Sequence, residues 1–135
     1  MGSRQHERME LLAPGGSLDA IQVAVQQGAD SVYLGVGPAN ARVKAENLLA
    51  PALPGLIDWL HARNVRAYVT LNVPVQAHNQ DDVARALAAA YWAGADALIV
   101  RDPRTIAIAR RCAPGLDLHA STQMGVSKPE SAKRV

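Results

Sequence analysis

Apolar stretches of strand length alternate along this chain with segments whose apolar positions recur at helical spacing. The pattern predicts a first strand at Glu10–Ala13. A helix follows at Ser17–Gln27, with Leu18, Ile21, Ala24 and Val25 on one face and Ser17 as a favourable N-cap. A second strand covers Asp30–Gly35, and a long connection runs from Val36 to about Pro51. Then come a helix at Leu53–Arg63, a strand at Val65–Val73 and an Ala-rich helix at Asp81–Ala93. A strand at Asp96–Val100 precedes a helix at Pro103–Cys112, which Pro103 opens at a first-turn position. A fifth strand at Leu116–Ser121 and the start of a fifth helix at Lys128–Val135 complete the order.

Four helices exit through the same chemistry. Gly28, Asn64, Gly94 and Gly115 each separate a helix from the next strand, and these residue types tolerate the left-handed conformation that ends a helix. Gly28-Ala29-Asp30 is echoed by Gly94-Ala95-Asp96, each leading straight into a strand. Repeated βα units of this kind imply parallel strands joined by crossover helices. An open doubly wound sheet would carry a glycine fingerprint. Gly35-Val36-Gly37 starts like one, but Pro38 follows at once and Asn40 stands where the third glycine belongs. A barrel instead places polar residues at strand C-termini, and Asn72, Asp102, Ser121 and Gln123 fall there. The expected fold is therefore α/β, the N-terminal portion (about five βα units) of a TIM-type (β/α)8 barrel. A complete barrel takes about 250 residues, so 135 residues are expected to be a fragment. Residues 1–9 read as a disordered lead-in or cloning remnant, and 10–135 as the incomplete barrel domain.

Composition narrows this only a little. Hydrophobic residues make up 49% and charged residues 19%, an ordinary balance for a soluble domain. Phe is absent, so Ala, Val, Leu and Ile must build the core. No apolar run reaches the roughly 20 residues of a membrane span, and the polar start is no signal peptide. The net charge is only +2 and no basic stripe is visible, which neither demands nor forbids an RNA partner. The single cysteine, Cys112, excludes an internal disulfide and fits a reducing cytoplasm. Late in a helix and without a nearby ligand, it reads as a packed small residue.

Six ordered segments carry a resemblance. They are Glu10-Leu11-Leu12-Ala13-Pro14-Gly15-Gly16-Ser17-Leu18, Gly28-Ala29-Asp30-Ser31-Val32-Tyr33-Leu34-Gly35 and Ala41-Arg42-Val43-Lys44-Ala45-Glu46-Asn47. Tyr68-Val69-Thr70-Leu71-Asn72, Asp96-Ala97-Leu98-Ile99-Val100 and His119-Ala120-Ser121-Thr122-Gln123-Met124 follow. Together they resemble the collagenase-like peptidases, peptidase family U32, over nearly everything after Met9. The resemblance implies a TIM-like barrel with further segments behind it. It implies a protease by family name, or oxygen-independent hydroxylation of tRNA or rRNA bases or of a quinone precursor. It also implies a 4Fe–4S cluster on cysteines beyond this chain, so no cofactor is expected within it. The family often has Ala where this chain has Gly15, which reads as a minor change in a permissive turn.

Alternation along a strand puts His119, Ser121 and Gln123 on one face, climbing toward the active rim. A Ser–His pair two residues apart on one strand is separated by about 6.6 Å between Cα atoms, with parallel side chains, which makes a direct hydrogen bond awkward. His119 therefore reads as a lumen residue and Gln123 as the better ligand contact. Tyr68, Thr70 and Asn72 form a similar ladder, with Asn72 at the rim. Glu10 belongs near the lumen floor, where a carboxylate needs a partner, and His119 is one candidate. Gly15, Gly16 and Ser17 offer backbone N–H groups at a helix start, a setting for an anion. Arg42 and Lys44 on the long loop suit a phosphate or carboxylate. Asp102 reads as the cap of the helix opened by Pro103. The candidate substrate-binding set is Arg42, Lys44, Asn72, His119, Ser121 and Gln123, with no residue marked as catalytic and no metal site. Peptide or RNA are the candidate substrates. A non-enzymatic half-barrel, dimerising through open sheet edges, is the rival reading.

Overall fold

The structure, a computed structural model, describes residues 8–37 and 50–133. Arg42, Lys44 and most of the long connection that carries them lie outside the described residues. Strands and helices alternate as β1 (Leu12–Pro14), α1 (Leu18–Gln26), β2 (Ser31–Gly35), α2 (Leu53–His61), β3 (Arg66–Leu71) and α3 (Gln80–Trp92). They continue as β4 (Ala97–Val100), α4 (Pro103–Cys112), β5 (Asp117–Ala120) and α5 (Pro129–Ala132). Single 3-10 turns at Ala50–Ala52 and Thr122–Met124 precede α2 and follow β5.

The five strands form one parallel sheet in the order β1-β2-β3-β4-β5. Each strand lies beside its predecessor, so the sheet winds in one direction and never reverses. A doubly wound sheet reverses at its switch point; this one has the winding of a barrel wall. The described residues make up five consecutive βα units of a (β/α)8 barrel.

Alternation along the strands divides the sheet into two faces. Val32, Leu34, Val69, Leu71, Leu98 and Val100 point outward into one apolar layer with Ile21, Leu53, Ile57, Leu60, Leu87 and Ala109 from the helices. Within this layer Ile57, Leu60 and Leu87 are fully buried. Truncating any such leucine or isoleucine to Ala typically costs about 2–5 kcal/mol. The opposite residues, Ser31, Tyr33, Tyr68, Thr70, Ile99 and His119, face the lumen.

Several element bounds differ from the expectation. β1 begins at Leu12 rather than Glu10, because the Leu11 N–H is taken by the Asp30 carboxylate (2.8 Å). β5 ends at Ala120: Ser121 makes the last backbone bond to Val100 (2.8 Å) and then starts the 3-10 turn. The helix exits behave as the residue types require, with φ of 91° at Gly28, 57° at Asn64, 88° at Gly94 and 84° at Gly115.

Two expectations are overturned. The turn at Gly15 is not permissive. A Cβ there would stand 2.7 Å from Val32 Cγ1, 2.8 Å from Ile21 Cγ1 and 3.0 Å from the Tyr33 carbonyl oxygen. Gly15 is the point where the β1–α1 turn closes down on β2. Cys112 is exposed rather than packed, because it falls on the outer side of the last turn of α4.

Candidate rim cleft

The C-terminal ends of the strands enclose a cleft of about 290 Å³. Its wall is built in strand order. Pro14, Gly15 and Gly16 come from the end of β1, Tyr33 and Gly35 from β2, Thr70 and Asn72 from β3, Ile99 from β4, and Ser121, Thr122 and Gln123 from the turn after β5. Among the described residues, all the side chains of this wall are neutral. The polar ones are hydroxyls and carboxamides, set among apolar surface from Leu12, Pro14, Ile99 and Ala120. Ligand sites of this kind pair a mostly apolar lining with a few oriented polar groups.

Asn72 lies directly after β3 and is buried at 8% exposure, at the rim where alternation put it. The Thr70 hydroxyl below it donates to the Leu34 carbonyl (3.2 Å), which locks that rung between β2 and β3. Gln123 lies in the 3-10 turn and Ser121 caps that turn, its hydroxyl accepting from the Gln123 N–H at 3.2 Å. The expected ladder of His119, Ser121 and Gln123 therefore stops at its first member. Ser121 and Gln123 reach the cleft through a turn, not along a strand.

His119 lies below the cleft, in β5, and its ring meets Tyr68 edge-on with centroids 4.9 Å apart. Ser121 is thus committed to its turn while His119 packs toward the floor. The floor itself is a polar cluster. The Tyr68 hydroxyl donates to Glu10 at 2.5 Å, and Arg66 pairs with the same carboxylate at 3.0 Å. Glu10 does find partners, as a carboxylate on the floor must, but His119 is not the one that binds it. The partners are Tyr68 and Arg66, both presented by β3. The hydroxyls of Ser31 and Tyr68, followed by the fields of Arg66 and His119, hold Glu10 below the ordinary carboxylate range, against the opposing effect of burial. Burial, and then the bond to the Glu10 carboxylate, push the Tyr68 phenol up.

The anion setting at the start of α1 is partly spoken for. The Gly15 N–H donates to the Tyr33 carbonyl at 2.7 Å, and the Ser17 hydroxyl caps α1 by accepting from Ala20 at 3.1 Å. Gly15 and Gly16 line the cleft; Ser17 serves the helix. Asp102 is the cap of α4, as expected, accepting from the Arg104 N–H at 2.8 Å. Tyr33 is a cleft residue outside the expected set. Its signal is there: it alternates with Val32 and Leu34 and must face the lumen if they face the helices.

Among the described residues, no group of three or more His, Cys, Asp or Glu side chains is placed to hold a metal ion. With one exposed cysteine in the chain, these residues do not fit an iron–sulfur cluster. No helix among the described residues is long and apolar enough to cross a membrane.

A family model described as Peptidase family U32 matches residues 16–135. A tRNA hydroxylation protein of Bacillus subtilis is 33% identical over 121 residues, a match covering 90% of this chain and 29% of that protein. A 23S rRNA 5-hydroxycytidine synthase of Escherichia coli is 34% identical over 126 residues, covering 93% of this chain and 19% of that protein. The chain thus spans under a third of the length of these relatives. A solved structure described as a U32 peptidase superposes with a TM-score of 0.64 and 17% identity, over 97% of this chain and 58% of that one. At that identity the likeness is one of fold, and it agrees with the partial barrel.

Proposed function

Because this chain belongs to peptidase family U32, we propose that it supplies the N-terminal wall of a barrel that binds and hydroxylates an RNA base. The neutral cleft carries this reading: the carboxamides of Asn72 and Gln123 stand in its wall with the Tyr33 ring, and no charged side chain among the described residues lines it. Unpaired bases are held by hydrogen bonds along their edges and by contact with aromatic rings, and a carboxamide can both donate and accept along such an edge. In this reading Asn72 and Gln123 orient the base, Gly16 approaches it by its backbone, and Arg42 and Lys44 of the long loop meet a phosphate. The redox chemistry would come from a 4Fe–4S cluster held by cysteines outside this chain. The natural setting of such a protein is the cytoplasm.

Peptide cleavage is the second reading, favoured by the description of the matching family as a peptidase family. The Ser121 hydroxyl accepts from the Gln123 N–H and the His119 ring packs edge-on against Tyr68, so the two do not form a nucleophile–base pair here. The two readings separate in one experiment. The full-length gene product is expressed in an Escherichia coli strain lacking its own tRNA and rRNA hydroxylation proteins, and digested RNA is examined by mass spectrometry. Restored hydroxylated nucleosides support the proposal. Their absence, together with gelatin cleavage by the purified protein, would replace it with the peptidase reading.

A further inference from the structure

Asp102 does more than cap a helix. Its carboxylate is buried at 8% exposure, and its two oxygens serve different elements. Oδ1 accepts from the Arg104 N–H of α4 (2.8 Å), while Oδ2 accepts from the Val75 N–H (2.8 Å), which belongs to the loop between β3 and α3. Val75 is itself buried at 1% exposure, so its N–H needs a protein partner, and Asp102 is that partner. The rest of the loop is stapled locally. Asn79 accepts from the Gln76 N–H (2.7 Å) and donates to the Pro74 carbonyl (2.9 Å). Pinned at Val75 and closed on itself beyond, the loop runs back through Pro74, whose carbonyl Asn79 holds, and Val73, which packs against the core, to Asn72 in the cleft wall.

We propose that Asp102 is a positioning residue for the cleft, fixing the β3–α3 loop through Val75 and thereby setting where the Asn72 carboxamide stands. Its functional consequence rests on the reading of the cleft as the substrate site; the tether itself does not. Two substitutions separate tethering from capping. Asp102→Asn keeps one acceptor for the helix and turns an amide N–H₂ toward the Val75 N–H. Asp102→Ser keeps a good N-cap with a single oxygen. Arg104→Ala leaves both carboxylate oxygens on their backbone donors and removes only the exposed guanidinium partner.

The test is hydrogen–deuterium exchange by mass spectrometry on the full-length protein, with RNA hydroxylation in the complemented strain as a second readout. Both Asp102 variants should speed exchange in residues 73–79 by roughly tenfold or more, leave residues 103–112 within about twofold, and lower the hydroxylated nucleoside. Arg104→Ala should leave the loop as it is. Unchanged exchange in 73–79 for both Asp102 variants would overturn the tether, as would equal acceleration by Arg104→Ala. Accelerated exchange with no hydroxylation even from the unsubstituted protein would leave the tether standing and refute the RNA reading instead.

Discussion

Gly15 shows how much of this site rests on a single atom left out. The β1–α1 turn comes so close to β2 that a methyl group would meet two branched side chains and a backbone oxygen at 3.0 Å or less. Overpacking of this kind costs about 1–3 kcal/mol. Gly15→Ala should lose that much in urea unfolding, while Gly16→Ala, which meets nothing within 4 Å, should lose far less. Asp102 makes a second prediction at this scale. Burial alone would raise its pKa, but the hydrogen bonds from the Arg104 side chain and from the Arg104 and Val75 backbone hold it down to about 2. The folded chain therefore binds this proton more weakly than the unfolded chain. The resulting contribution, about 2 kcal/mol, is complete above about pH 4 and is lost as the pH falls toward 2. In Asp102→Asn, that part of the acid sensitivity of unfolding should vanish. On the floor, Glu10→Gln should let Tyr68 ionise at lower pH, read from phenolate absorbance, because the carboxylate that opposes phenolate formation is gone.

At the scale of elements, the βα order was legible because strand-length apolar runs and helical spacing have different periods. The helix exits were legible too, since Gly and Asn answer a backbone demand that is local. Asn64 is the informative one, a residue with a side chain at φ 57°. Asn64→Ala should cost about 1 kcal/mol and Asn64→Gly almost nothing, measured by thermal or urea unfolding. What was not legible were contacts made across elements. The start of β1 is decided by the Asp30 carboxylate, and Glu10 finds its partners, Tyr68 and Arg66, far along the chain on β3. Ser121 and Gln123 were correctly placed at the rim but on the wrong local structure. A period of two persists in the sequence after the strand has already ended in a turn capped by Ser121. The β3–α3 tether was hidden for the same reason. Asp102 was readable as a cap, two residues from its partner, but not as the acceptor for Val75, 27 residues away.

At the scale of the molecule, five units leave two strand edges. Among the described residues, β1 pairs only with β2, and β5 only with β4. On and beside the first edge, Leu11, Leu12, Leu18 and Val23 are all exposed. Bare parallel edges with apolar flanks favour association. The isolated 135-residue chain should therefore self-associate in light scattering and lack activity, and a stable monomer would count against this. The neutral rim cleft as the seat of the substrate is the claim on which the functional reading depends. Its most direct test is the hydroxylated nucleoside content of RNA from the complemented strain carrying Asn72→Ala or Gln123→Ala in the full-length protein. A loss of roughly tenfold or more, at unchanged protein level and melting temperature, is the predicted result. Full hydroxylation by both variants would contradict it.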